Sequence, residues 1–175
     1  MPALAYYLVS GATTAWRARE IVPALLERFE RVLTIPTPGA ARVISVYDLS
    51  RIPGNHVVES YLDDQLRPRP EPGAVIFAPC SFNSLNKLAA GIADHLALSI
   101  AAEMVGLGQP ALIALSMNEG LWMHSQTKAS VCALRRWGVC VLEPQRAAGG
   151  LSLAPLDALL AELDRLLCAG QSGPT

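Results

Sequence analysis

The sequence predicts an α/β fold, a single domain with a doubly wound parallel sheet flanked by helices. Short apolar runs of strand length alternate with segments of helical length. Those strand runs are apolar at consecutive positions rather than every second one, as in strands covered on both faces. The chain has 175 residues, 51% of them apolar, which is material for one full core and too little for two.

Taken in order, Leu4 to Val9 reads as the first strand, closed by Ser10-Gly11-Ala12-Thr13-Thr14. A helix from about Ala15 to Phe29 places Ile21, Leu25, Leu26 and Phe29 on one stripe and leads to a strand at Val32 to Ile35. Pro36, Pro38 and Gly39 stop that strand. Arg42 to Tyr47 reads as another extended piece, and the polar, proline-bearing stretch from Leu49 to Pro72 reads as loop. Beyond Gly73 come a strand AVIFAP, a long helix from Ser84 to Val105, a strand ALIALS, a helix from Trp122 to Trp137 and a strand VCVLEP. The last helix runs from Pro155 to Cys168, with Pro155 suited to a first turn. Residues 1–169 form the predicted domain, and 170–175 a frayed tail.

Composition excludes several function classes. Fourteen Lys and Arg against 15 Asp and Glu give a net charge of −1, without the basic footprint by which proteins neutralise nucleic-acid phosphates. Arg135 and Arg136 are adjacent, on what reads as the solvated face of a helix. The longest apolar stretch, Leu96 to Leu115, is interrupted by Glu103, Gly106, Gly108, Gln109 and Pro110, so a membrane span is not expected. The amino terminus has no basic residues ahead of its apolar run, and a cytoplasmic location is the expectation. Cys80, Cys132, Cys140 and Cys168 form no CxxC pair and no spacing with His that suits zinc, so no metal site is expected.

In a doubly wound sheet, ligands settle outside the carboxyl ends of the strands. The junction after the first strand offers a tight turn, hydroxyls and a helix amino end where free N–H groups favour an anion; Thr13 or Thr14 acting only as a helix cap is the plainer alternative. Neither GxGxxG nor GxxxxGK[ST] occurs. The junction at residues 78–98, APCSFNSLNKLAAGIADHLAL, sets Ser81, Asn83 and Ser84 directly after a buried strand, and the next one, residues 115–124, reads LSMNEGLWMH.

These two segments resemble the signatures of the homo-oligomeric flavin-containing cysteine decarboxylases, a flavoprotein family that includes phosphopantothenoylcysteine and lantibiotic peptidyl-cysteine decarboxylases. The family's Pro-Ala-Ser/Thr-x-Asn-Thr, Lys, Gly-Ile-x-Asp-Asn-Leu pattern stands here as Pro79, Cys80, Ser81, Phe82, Asn83, Ser84, then Lys87, then Gly91-Ile92-Ala93-Asp94-His95-Leu96. Its Pro-x-Met-Asn-x-x-Met-Trp pattern stands as Leu115 to Trp122, with Met117 and Asn118 in register and Leu115 and Leu121 as departures. The clear similarity spans about residues 74–144, with a looser one over residues 4–47.

The resemblance implies a Rossmann- or flavodoxin-like subunit that binds FMN at an interface within homotrimers, alone or built into a dodecamer. It implies Gly11, Thr13, Thr37, Ser81 and Ser84 around the FMN phosphate and flavin, with Asn83 and Asp94 beside them and Met117 as soft packing. A phosphate dianion needs several N–H and O–H donors, and helix ends supply them without Lys or Arg. Asn118 is implied in binding the substrate carboxylate, which an amide does without adding a titrating group. The implied chemistry is oxidative decarboxylation of a small thiol or a peptide's carboxy-terminal cysteine.

Two departures bear on that reaction. The family uses a His some fourteen residues before the signature Pro, and here that position is Gln65, which takes no proton at neutral pH. His56, nine residues earlier, is the remaining candidate base. Relatives also carry a longer substrate flap than residues 143–150 provide. The resemblance therefore leaves two readings: an FMN-dependent decarboxylase, or a flavin-binding subunit or scaffold that has lost the base. The flavin prenyltransferases are a weaker match, lacking here their Arg-Glu-x-Pro-Leu stretch.

Overall fold

The computed structural model describes residues 3–170 and holds six parallel strands: β1 (Leu4–Val9), β2 (Arg31–Pro36), β3 (Asn55–Val57), β4 (Ala74–Cys80), β5 (Ala111–Leu115) and β6 (Cys140–Leu142). Their order is β3-β2-β1-β4-β5-β6. The chain winds outward from β1 to β3, returns to lay β4 against the other side of β1, and winds outward again. The switch point therefore falls between β1 and β4, where a doubly wound sheet opens a crevice at its carboxyl ends.

Alternation along each strand divides the core into two layers. Tyr6, Leu8, Val75 and Phe77 point to one face, under α3 (Phe82–Ala89), α4 (Leu96–Gly106) and α6 (Ser125–Arg136). Ala5, Tyr7, Val9, Ile76 and Ala78 point to the other, under α1 (Ala18–Leu26), α2 (Val46–Ser50) and α7 (Leu156–Gly170). β1 and β4 are buried along their whole length, as their unbroken apolar runs predict.

Five segments differ from expectation, the first being the helix expected from Ala15 to Phe29: Thr13–Arg17 is a 3-10 turn, and α1 runs only from Ala18 to Leu26. The stretch from Arg42 to Tyr47 is not extended: a single 3-10 turn at Ala40–Arg42 precedes α2, whose first turn is capped by Ser45 Oγ accepting from the Asp48 N–H at 3.1 Å. A local cap overrides the strand propensity of Val43, Ile44 and Val46. The supposed loop from Leu49 to Pro72 contains β3 and a 3-10 turn at Asp64–Leu66. β3 is short, and it is fixed by side chains rather than by an apolar run: Thr34 Oγ1 donates to Asn55 Oδ1 at 2.6 Å, and Asn55 Nδ2 donates to the Leu49 carbonyl at 2.9 Å.

The long helix predicted from Ser84 to Val105 is two helices. α3 ends in a Schellman turn, with Gly91 at φ +72° and the Ile92 N–H reaching back to the Lys87 carbonyl at 2.9 Å. The helix predicted from Trp122 to Trp137 likewise divides into α5 (Glu119–Met123) and α6, because His124 leaves helical geometry and its Nδ1 accepts from the Gln126 N–H at 3.0 Å.

After β6 the chain forms a separate antiparallel hairpin, β7 (Gln145–Ala147) and β8 (Gly150–Ser152). Of the tail expected from Gly170 on, Gly170 closes α7 and the rest lies outside the described residues. No helix among the described residues is long and apolar enough to cross a membrane.

α7 is tied to the β6 edge by a polar link. Cys140 Sγ donates to Glu162 Oε1 at 2.9 Å, and Arg165 grips the same carboxylate. Arg165 first, and the Cys140 thiol second, hold Glu162 down at about 2. Burial, and then the carboxylate itself, push the thiol up to about 12. A carboxylate with a folded-state pKa below its unfolded value stabilises the fold above the unfolded value and loses that contribution as pH falls through the folded one. Glu162 should thus contribute at neutral pH and cease to between pH 4.5 and about 2. In urea denaturation across that window, Glu162→Gln is expected to be less stable at pH 6 and to show a shallower acid loss than wild type. Parallel slopes would contradict the assignment.

Candidate functional site

The carboxyl ends of β1 and β4 are joined by one side chain. Buried Ser10 donates from Oγ to the Pro79 carbonyl at 2.7 Å and accepts from the Ser81 N–H at 2.8 Å, while its own N–H donates to Pro79 O at 3.0 Å. The chain then turns at Gly11, packed so closely on Gly39 that an added Cβ would stand 2.6 Å from the Gly39 carbonyl carbon. Only glycine permits that approach. It brings Thr37 alongside, with its N–H on the Val9 carbonyl at 2.8 Å and its Oγ1 accepting from the Ala40 N–H at 3.2 Å.

Ser81 caps α3: its Oγ lies 3.4 Å from the Ser84 N–H and 3.3 Å from the Ser84 hydroxyl. Two hydroxyls and the first-turn N–H groups of α3, which have no partner inside the helix, thus gather at one point. Thr13 and Thr14 do not cap the turn that follows β1. Its cap position is Ala12, and Thr14 Oγ1 instead donates to Ser116 Oγ at 2.7 Å, fastening the β1 turn to the end of β5.

Two adjoining cavities share Gly11, Ser81 and Asn83 on their walls. One, of about 400 Å³, is lined also by Thr37, Ser84, Lys87, Asp94 and His95; the other, of about 540 Å³, by Thr13, Met117, Asn118 and Leu121. Every sequence-derived candidate except His56 therefore lies on this crevice. Asn118 caps α5, its Oδ1 accepting from the Leu121 N–H at 2.9 Å, so its amide nitrogen remains as the donating end. The Lys87 ammonium pairs with Asp94 and holds its carboxylate below the usual range. His95 caps α4 through Nδ1, which accepts from the Leu98 N–H at 3.4 Å, and burial lowers its pKa.

The hairpin closes one side, with Gly149 and Leu151 on the wall of the larger cavity. Arg146 on β7 pairs with Glu119, next to Asn118, at 2.7 Å. Lys87, His95 and Leu121 stand inside the quoted signatures without being assigned to the site there, and Gly149 lies in the stretch read as a short flap. His95 joins Lys87 of α3 on the wall because the chain turns at Gly91 between α3 and α4. The hairpin carries no apolar run that would have marked it.

His56 stands apart. It lies on the edge strand β3, in a separate cavity of about 540 Å³ lined also by Ser50, Asn55, Asp63, Asp64 and Gln65. The two positions weighed for the base in the sequence thus share one cavity, which is not the crevice at the β1/β4 switch. Among the described residues no three His, Cys, Asp or Glu side chains are grouped to hold a metal ion.

A doubly wound α/β domain with a polar crevice at its switch point is the class that fold and cavity define. The chain belongs to the Flavoprotein family, whose model matches residues 5–166. Among curated proteins it is 33% identical over 141 residues to the coenzyme A biosynthesis bifunctional protein CoaBC of Mycobacterium tuberculosis, covering 78% of this chain and 33% of that one. The chain thus spans about a third of the length of the curated relatives it first matches. It is 23% identical to the probable phosphopantothenoylcysteine decarboxylase of Streptococcus mutans, covering 91% of this chain and 96% of that protein. Among solved structures, a mutant PPC decarboxylase complexed with pantothenoylaminoethenethiol superposes with a TM-score of 0.80 at 18% identity, covering 95% of this chain and 99% of that one.

The Gly11–Gly39 approach gives one direct check on the geometry. Gly11→Ala is expected to destabilise by about 1–3 kcal/mol, because the overlap is with backbone. Gly39→Ala, where a Cβ meets nothing nearer than 3.8 Å, should stay within about 0.5 kcal/mol of wild type. Thermal unfolding of the two variants measures the contrast, and equal losses would refute it.

Proposed function

We propose that the chain binds FMN in the crevice between β1 and β4 and acts as a decarboxylase of the flavin-dependent cysteine type. The observation that carries this reading is the convergence of the Ser81 and Ser84 hydroxyls, the α3 amino end and the Gly11 turn on one cavity that adjoins a second lined by Asn118. Family membership supports the flavin. The donor set fits FMN because a phosphate dianion needs many neutral donors at close range, and glycine at position 11 leaves the backbone uncovered.

In this reading Ser81, Ser84, Thr37 and the first-turn N–H groups hold the phosphate, and Gly11 and Thr13 flank it. Met117 packs against the ring system and Asn83 bridges the two halves of the crevice. When bound, FMN supplies a two-electron oxidation of a thiol-bearing carbon. Asn118 donates its amide to the substrate carboxylate, and as a helix cap its orientation is set before substrate arrives. Gly149 and Leu151 exclude water from one side. Asp94, held anionic by Lys87, lies on the phosphate-side wall and orders that cation rather than reacting.

The substrate class is a small thiol or a peptide ending in cysteine, and the assembly is a homotrimer or a dodecamer of trimers, as the family resemblance implies. A second reading, a flavin-holding subunit without decarboxylase activity, is favoured by one observation: Gln65 and His56 lie outside the crevice within the chain.

Purified protein is expected to be yellow, and anaerobic addition of a cysteine-terminated peptide should bleach it under the enzyme reading alone. Ser81→Ala with Ser84→Ala removes two hydrogen bonds to a charged group, each worth about 1.5–3 kcal/mol, so FMN affinity should fall roughly 10²–10⁴-fold. Retention of stoichiometric flavin on dialysis, with the fold intact by circular dichroism, would place the phosphate elsewhere. Asn118→Asp keeps a good helix cap but sets a carboxylate against a carboxylate. It should keep its flavin and lose bleaching, and undiminished bleaching would remove Asn118 from substrate binding.

A further inference from the structure

The smaller cavity of the crevice carries one titratable side chain to which the function proposed above gives no task. His95 stands on its wall at the start of α4, between the Gly91 turn and the buried Ala97 and Leu98. The quoted signature has Asn at this position, so this chain sets an imidazole where that pattern sets an amide.

The helix cap fixes the state of the ring. Nδ1 accepts from the Leu98 N–H at 3.4 Å, and a ring nitrogen that accepts an N–H bears no proton. In the neutral imidazole the proton therefore sits on Nε2. That N–H has no acceptor among the described residues, and it is left for whatever fills the cavity.

The rest of the wall is short of positive charge. Lys87 of α3 and Asp94 of the turn before α4 are its other charged side chains, and they pair with each other. The turns after β1 and β2 bring Gly11, Thr37 and Gly39, none of which titrates. A dianion seated against Ser81 and Ser84 meets many neutral donors here, while the one side-chain cation is already matched by a carboxylate.

We propose that His95 is a phosphate-binding residue of the crevice, donating Nε2–H to the FMN phosphate and, when it takes a second proton, supplying the unmatched cation that the wall otherwise lacks. The inference rests on the flavin reading above and adds to it a residue that tells FMN from riboflavin. Opposed requirements set the charge of the ring. Burial first, and the Lys87 ammonium with it, favour the neutral form against the pull of Asp94, and the cap acts the same way, because a protonated Nδ1 no longer accepts from Leu98. A bound dianion reverses that balance and raises the pKa of the ring. The added affinity is therefore fully present below the pKa of the free ring and is lost as pH rises through that of the complex. Binding and protonation favour each other by the same factor.

The test titrates FMN and riboflavin into flavin-stripped full-length protein at pH 8 and pH 6, read by flavin fluorescence. His95→Asn keeps a capping oxygen and a neutral donor, and is expected to unfold at the same temperature as wild type. At pH 6 wild type should bind FMN about tenfold more tightly than the variant, and at pH 8 the two should nearly coincide. Riboflavin, with no phosphate, should not distinguish the proteins at either pH. Nitrogen-15 spectra of the free protein at pH 8 should show the His95 ring protonated on Nε2. FMN affinities that stay equal at pH 6, a riboflavin affinity that follows pH as FMN does, or a ring protonated on Nδ1 would each overturn the proposal. Wild type that binds neither flavin would overturn the flavin reading and this inference together, whereas FMN bound with one pH profile in both proteins sinks the inference alone.

Discussion

The crevice exists because Ser10 holds two strand ends together. Its hydroxyl donates to the Pro79 carbonyl and accepts from the Ser81 N–H, so the last residue positions of β1 and β4 are fixed relative to each other just where the winding of the sheet reverses. A buried hydroxyl that both donates and accepts is fully satisfied, and loss of it would strand two backbone groups at once. The remaining features of the crevice depend on that register. Gly11 leaves β1 at the right height to meet Gly39, α3 starts at the right place to turn its first N–H groups inward, and Thr14 reaches Ser116 at the end of β5.

The crevice is furnished with hydroxyls, amides and backbone N–H groups more than with fixed charge. Lys87 is the nearest cation on its walls, and it is engaged by Asp94. Neutral donors at helix ends keep their orientation at every pH in which the fold survives, and they do not compete with one another for protons. Cys80, at the end of β4, follows the same economy: fully buried, with burial pushing its thiol pKa up, it remains a small apolar side chain rather than a nucleophile beside the site.

The sheet and most of the crevice were legible in the sequence because they rest on strong local signals. β1, β4 and β5 are uninterrupted apolar runs and β2 an apolar run broken by Thr34, and Ser81, Asn83, Ser84, Met117 and Asn118 fall in two short signatures that begin where strands end. What escaped notice depends on tertiary context. β3 is held by Thr34 and Asn55 across the sheet rather than by its own apolar character. The division of α3 from α4 depends on a single glycine in a left-handed conformation inside an otherwise helical pattern. His56 and Gln65, nine residues apart, share a cavity only because the intervening chain folds back through the turn at Asp64–Leu66, a proximity that no periodicity encodes.

The hairpin of β7 and β8 belongs to neither core layer. Its two strands pair only with each other, and its charged anchor to the body of the protein is Arg146 on Glu119. Because no ladder of the main sheet passes through it, residues can be inserted between Ala147 and Gly150 without disturbing β6 or α7. Reach along the wall of the crevice, where Gly149 and Leu151 stand, is thus a dimension that can lengthen or shorten independently of the scaffold.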